Sequence, residues 1–146
     1  MEQALAEILT PPVLRHLPPS LALKGEEGAV TSWIDARTAD SSVLIVQPKD
    51  NNRIVGLIIL AGDSGPEKVT ILHIGYLLEE RIWGHGVASE LLQGLVSAAQ
   101  SLAPITLLAE VDKDNAASAR VLQKAGFVKN MALTTPQGGV YKYQIR

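Results

Sequence analysis

Trp83-Gly84-His85-Gly86-Val87-Ala88-Ser89 stands between an apolar run and a segment with helical spacing. A glycine-rich turn that opens a helix leaves the first N–H groups of that helix without intrahelical acceptors. They point outward and can cradle a phosphate or pyrophosphate. No Asp or Glu occurs from Ile82 to Ser89, so the expectation is a first turn that does not neutralise the positive end of its own helix dipole. The stretch predicts an anion site at a helix start, with Gly84, His85, Gly86, Val87, Ala88 and Ser89 as its cradle and Trp83 at its edge.

Upstream of this turn, Val43 to Gln47, Arg53 to Leu60 and Val69 to Leu78 read as three strands. Asp50-Asn51-Asn52 and Gly62-Asp63-Ser64-Gly65-Pro66 supply the turns between them, which predicts a meander. Downstream, Leu91, Leu92, Leu95, Val96, Ala99 and Leu102 recur at helical spacing, and Pro104 marks the exit. Ile105 to Val111 is a further strand. Asn115 to Ala125 is a helix, with Asp114 or Asn115 as its cap and Gly126 as its stop. Phe127 to Leu133 and Val140 to Ile145 form a last hairpin around Pro136-Gln137-Gly138-Gly139. At the start of the chain, residues 2–9 predict a short helix ended by Pro11-Pro12, followed by a brief strand over Val13 to Leu17 and a helix over Glu26 to Ala39. This order indicates an α/β (α+β) protein with a mixed sheet and helices on both faces.

The 146 residues fit one domain, 1–146, able to bury roughly 70% of the surface of the unfolded chain. With 47% hydrophobic and 19% charged residues the composition is that of an ordinary globular protein, and one Phe, two Trp and three Tyr leave an aliphatic core. A formal net charge of −2 without a basic cluster argues against nucleic acid as a partner. The absence of Cys removes disulfides, thiolate metal sites and a cysteine nucleophile together. His16, His73 and His85 have no metal-ligand spacing, so no metal is expected. No apolar run approaches a membrane span, and the Met-Glu-Gln start lacks the pattern of a secretory signal, so no membrane partner and a cytoplasmic location are expected.

Taken together, Trp83-Gly-His-Gly-Val-Ala and Asn115-Ala-Ala-Ser118-Ala-Arg-Val-Leu122-Gln-Lys-Ala-Gly126-Phe127 resemble the two signature segments of the GNAT superfamily of N-acetyltransferases. The first resembles that family's Q/R-x-x-G-x-G/A pyrophosphate loop, with Trp83 read in place of the usual Gln or Arg. Trp83 and Ile74-Gly75-Tyr76 are similar to the branch that includes the ribosomal-protein N-terminal acetyltransferases. The resemblance covers residues 69–128 well and 43–68 in outline.

The resemblance implies a mostly antiparallel sheet of six to seven strands with a splayed central pair, formed by the strand ending at Leu77-Leu78 and the strand over Ile105 to Val111. It implies acetyl-CoA as acyl donor, with the pantetheine arm in that gap. The backbone of Leu77 and Leu78 would pair with the arm like an added strand, and Gly84 to Ser89 would hold the pyrophosphate. Asn115 and Ser118 match positions that contact pantetheine or the thioester sulfur. The acceptor is a primary amine, on a small molecule or a protein N-terminus, and a homodimer is compatible with the resemblance.

Acetyl transfer from a thioester to an amine needs a neutral amine, a polarised carbonyl and a proton for the departing thiolate. Deprotonating a lysine-like amine at neutral pH costs roughly 4 kcal/mol, whereas an α-amino terminus costs about 1 kcal/mol. Glu110, five residues before Asn115, occupies the place of the catalytic Glu of the ribosomal-alanine branch. Strand alternation turns it away from Ile105, Leu107, Ala109 and Val111. Glu110 is therefore the leading general base, with Tyr76 and His73 as alternatives that would relay a proton through water. Many family members place a Tyr at position 122 to protonate the thiolate. Leu122 cannot do so, and Ser118, four residues earlier on the same helical face, is the candidate donor. Two rival functions follow from the same residues. A dinucleotide-binding module lacks its third glycine, since Ser89 stands there. A non-catalytic acyl-CoA sensor would share the fold and lack turnover.

Overall fold

The computed structural model describes residues 7–15, 41–64 and 69–146. The helix expected over Glu26 to Ala39 lies outside these residues, as do most of the expected helix over 2–9 and the end of the expected strand over Val13 to Leu17.

Six strands form one sheet: β1 (Ser42–Val46), β2 (Gly56–Ser64), β3 (Thr70–Leu78), β4 (Ile105–Asp112), β5 (Val128–Lys129) and β6 (Gly138–Ile145). Their spatial order is β1-β2-β3-β4-β6-β5, with the expected meander at one side. Every neighbouring pair is antiparallel except β3 and β4. The parallel pair needs a crossover, which is supplied by α2 (Val87–Ala99). Further helices among the described residues include α1 (Pro11–Arg15) and α3 (Ala116–Lys124).

β4 shows the period-2 burial that its sequence predicts: Ile105, Leu107, Ala109 and Val111 are buried, and the residues between them are half-buried. The buried set packs with Ile74 of β3, Leu92 and Ala99 of α2, Leu122 of α3, and Phe127, Tyr141 and Ile145. On the opposite face Leu57, Ile59 and Leu77 pack against Ile8, Leu9 and Val13. Helical segments thus lie on both faces, and each fully buried aliphatic side chain contributes about 1.5–3 kcal/mol relative to exposure. Asn115 caps α3, its Oδ1 accepting from the Ser118 N–H at 3.1 Å, and Gly126 stops the helix at φ 101°.

Four local expectations change. Pro11 and Pro12 begin a helix rather than end one, because proline is well placed in a first turn whose N–H groups have no intrahelical acceptor. Val13 is accordingly helical and not in a strand. β2 starts at Gly56, not Arg53, because the Asn51 side chain accepts the Arg53 N–H at 2.9 Å and turns the chain there, and it continues through Gly62 to Ser64. α2 ends at Ala99, and Leu102, in a single 3₁₀ turn, is 62% exposed rather than core. β5 is two residues long, because Asn130 Oδ1 accepts from the Ala132 and Leu133 N–H groups and bends the chain out of the sheet.

Candidate active site

The parallel pair opens half way along. β3 pairs with β4 from Thr70 opposite Ile105 to Ile74 opposite Ala109 and no further. β3 nevertheless stays on β2 as far as Leu78 opposite Gly56, and β4 stays on β6 as far as Asp112 opposite Gly138. Each strand follows its outer neighbour, and the space between them is a cavity of about 330 Å³. Among the residues lining it are Tyr76, Leu77, Leu78, Trp83, Gly84, Glu110, Asn115 and Ser118, all singled out from the sequence.

The hydrogen-bond phase of β3 fixes which backbone groups face this gap. The Glu79 N–H donates to the Val55 carbonyl at 2.7 Å, so the polar groups of Leu77, two residues away, also point to β2. Those of Tyr76 and Leu78 point the other way, into the gap. The edge toward the gap is therefore made by the N–H and carbonyl of Tyr76 and the N–H of Leu78. Leu77, expected to pair through its backbone, lines the cavity without offering that edge. The Leu78 carbonyl accepts from the Trp83 indole at 2.9 Å, which makes Trp83, 39% exposed, a brace between the loop and the strand end.

The loop after β3 is built on Glu79, whose carboxylate is buried and bonded by the guanidinium groups of Arg53 and Arg81. The Arg53 bond, helped by Arg81, holds the Glu79 carboxyl below the usual glutamate value, against the opposing effect of burial. Counting back three residues from Gly84 corrects the loop register: Arg81, not Trp83, occupies the Gln/Arg position of the Q/R-x-x-G-x-G pattern. The signal was present in the sequence, but its structural use, tying the loop to a buried carboxylate, depends on a contact with Arg53 26 residues before Glu79.

A 3₁₀ turn over Glu80–Ile82 leads to Gly84 and Gly86, at φ 78° and 77°, in the left-handed region that favours glycine. A Cβ at either position would meet nothing within 4 Å, so the backbone conformation, not space, requires glycine. Gly86 is the N-cap of α2 and makes no side-chain cap. The first intrahelical bond to Gly86 comes from Glu90 at 3.1 Å, leaving the Val87, Ala88 and Ser89 N–H groups without a helical acceptor. Val87 and Ala88 are seated against Val46, Val55 and Leu78. His85 is exposed on the turn. One expectation is revised: Glu90 belongs to the first turn of α2, so that turn does carry an acidic residue, placed at its far end and exposed. The uncapped N–H groups remain a fit for a pyrophosphate.

The polar side chains enter the gap from opposite faces of the sheet. Ala109 and Val111 share the core of α2 and α3, so Glu110, half-buried, projects to the other face. Tyr76 packs with the α2–α3 core and meets Ser118 of α3, Oη to Oγ 2.6 Å. Burial pushes the Tyr76 phenol above its ordinary value, and its bond to Ser118 pulls the other way. Leu122 is fully buried in the core and outside the cavity lining. His73 is exposed and also outside the lining. Among the described residues there is no group of three or more His, Cys, Asp or Glu side chains placed to hold a metal ion, and no helix is long and apolar enough to cross a membrane.

The Acetyltransferase (GNAT) domain family matches residues 2–128. No curated protein matches. Among solved structures, RimL, a ribosomal L7/L12 alpha-N-protein acetyltransferase solved in complex with coenzyme A, superposes with TM-score 0.70 at 17% identity, covering 99% of this chain and 86% of that one. A GNAT-family acetyltransferase from Bacillus anthracis gives TM-score 0.74 at 18% identity, covering 99% and 87%. The ribosomal-protein-S5-alanine acetyltransferase from Vibrio fischeri gives 0.59 at 16% identity, covering 81% and 69%. These likenesses agree on the fold, and the family match spans β1 to β4 and both signature segments. The chain belongs to the GNAT family of acetyltransferases.

Proposed function

We propose that this protein transfers an acetyl group from acetyl-CoA directly to a primary amine, with Glu110 as general base and Ser118 assisting the thiolate. The observation that carries the proposal is the placement of Glu110 and Ser118 on opposite faces of one gap. A base on the acceptor side and a hydroxyl donor on the leaving-group side suit a single displacement.

In this reading the Val87, Ala88 and Ser89 N–H groups, with Gly84, His85 and Gly86 shaping the turn, hold the pyrophosphate, and Trp83 and Arg81 fix the loop from behind. The open backbone edge of Tyr76 and Leu78 holds the pantetheine arm as an added strand, and Asn115 and Ala116 border it. Glu110 takes the proton released by the amine nitrogen as the new N–C bond forms. The C–S electron pair leaves on sulfur, facing Ser118. The acceptor is an amine on a small molecule or on a protein N-terminus, and the protein acts in the cytoplasm.

Binding and turnover are tested separately. Saturating coenzyme A at about a hundred times its dissociation constant stabilises by about 2.7 kcal/mol, a rise of roughly 5 to 10 °C in thermal unfolding for a domain of this size. NAD gives no rise. In an amine screen, Glu110→Gln lowers kcat by about 10²- to 10⁴-fold while the coenzyme A dissociation constant stays within about twofold. Wild-type protein that binds coenzyme A and acetylates no amine would favour the sensor instead.

A further inference from the structure

The hydroxyl of Ser118 has a partner that position 122 cannot supply. Tyr76 on β3 and Ser118 on α3 lie 42 residues apart, and their oxygens are 2.6 Å from one another at the border of the cavity. Among the described residues the Tyr76 hydroxyl has no other hydrogen-bond partner. The Ser118 N–H is committed to Asn115 Oδ1, which holds the serine in the first turn of α3, near the positive end of a helix with no acidic residue in that turn.

We propose that Tyr76 is a positioning residue: its O–H donates to Ser118 Oγ and so directs the single Ser118 proton at the departing sulfur. This rests on the direct-transfer reading above. A serine hydroxyl has one proton and two lone pairs. With the opposite polarity, Ser118 donating to Tyr76, the Ser118 oxygen would offer the sulfur beside it only lone pairs, which repel a thiolate. As the C–S bond breaks and its electron pair moves to sulfur, the chain Tyr76 to Ser118 to sulfur aligns both donors with the growing charge, and each bond strengthens the other.

The tyrosine does not hand over its proton. A thiol titrates near 8.5 and a tyrosine near 10, so the phenol is the weaker acid, and burial raises it further. Tyr76 therefore stays protonated wherever the reaction runs. The proton lost by the amine resides on Glu110 and then passes to solvent. The thiolate leaves hydrogen-bonded and is protonated by water.

The test needs no acceptor. The coenzyme A thiolate absorbs in the ultraviolet and the thiol does not, so the thiol can be titrated while bound to wild type, Ser118→Ala, Tyr76→Phe and the double variant. Ser118→Ala should raise the bound thiol pKa by about one unit, the effect of losing one hydrogen bond to a charged atom. Tyr76→Phe should raise it by about half a unit, and the double variant should match Ser118→Ala. The coenzyme A dissociation constant of each protein is measured where the thiol is neutral, so that every thiol titration is run with the site saturated.

Tyr76→3-fluorotyrosine keeps the ring and makes the phenol a stronger donor, so it should lower the thiol pKa, a shift that a packing role cannot produce. A Tyr76→Phe pKa equal to wild type, or a Tyr76→Phe shift that persists undiminished on the Ser118→Ala background, would overturn the inference while leaving Ser118's role intact. An unchanged thiol pKa in Ser118→Ala, or no coenzyme A binding at all, would remove the underlying reading and the inference with it.

Discussion

The same two strands behave differently in their first and second halves. Between Thr70–Ile74 and Ile105–Ala109, β3 and β4 form an ordinary parallel ladder over an aliphatic core. Between Gly75–Leu78 and Glu110–Asp112 they part, although both are still strands. The second half is open because each strand is held from outside. Glu79 ties β3 to Val55 and Arg53 on the β2 side, and β6 carries β4 on to Asp112. An unsatisfied backbone edge is costly inside a protein, so a gap of this kind is retained where a ligand completes it. One element pair thus carries two parts: the first half builds the core and the second half lines the cavity.

That division can be broken by experiment. Leu107, fully buried in the closed half, is the most sensitive position: Leu107→Ala should cost about 3 kcal/mol in urea unfolding while coenzyme A affinity at low temperature stays near wild type. A loss of affinity without a loss of stability would contradict the division. In the open half the reverse is expected. Gly86→Val forces a β-branched residue to φ 77°, a strain of about 1–2 kcal/mol that the loop relieves by moving, and calorimetry should show coenzyme A binding weakened by about tenfold with the core unchanged.

The smallest effect belongs to the hinge between the two parts. Glu79→Gln should cost about 1 kcal/mol at neutral pH, since its arginine partners are largely exposed. The folded-state value of Glu79 is lowered, so its contribution is present above the ordinary glutamate value of about 4.3 and is lost as pH falls through the lowered folded value. The stability gap between wild type and Glu79→Gln should therefore close on acidification. A gap that is constant or widens as pH falls would show that Glu79 is not held as the ionised partner of Arg53 and Arg81.

Much of this was legible in the residues. The alternation in β4, the glycine turn, the apolar stripe of α2 and the Asn115 cap are local patterns, and they were enough for the strands, the helix starts and the turn that opens α2. Glu110 and Ser118 were legible as positions beside motifs. What failed had competing local chemistry. Pro11-Pro12 serves a helix start as well as a helix stop, and the side chains of Asn51 and Asn130 decide the ends of β2 and β5 by bonding to the backbone. Leu77 was singled out for a backbone edge that belongs to its neighbours, because the hydrogen-bond phase of a strand is set by its partner and not by its own sequence.

The sequence by itself was enough for the family, through its two signature segments, and for the glycine turn at the start of α2, through the conformational limits of a few consecutive residues. Only the tertiary structure decided that β3 and β4 part at Ile74 and Ala109, that Arg53 and Arg81 share Glu79, and that Tyr76 meets Ser118. The Arg53–Glu79 and Tyr76–Ser118 contacts join residues 26 and 42 positions apart, and the parting depends on the register of paired strands. Hydrophobic patterning says which face of an element is buried, but which two polar atoms then meet at 2.6 Å is fixed only when the elements pack.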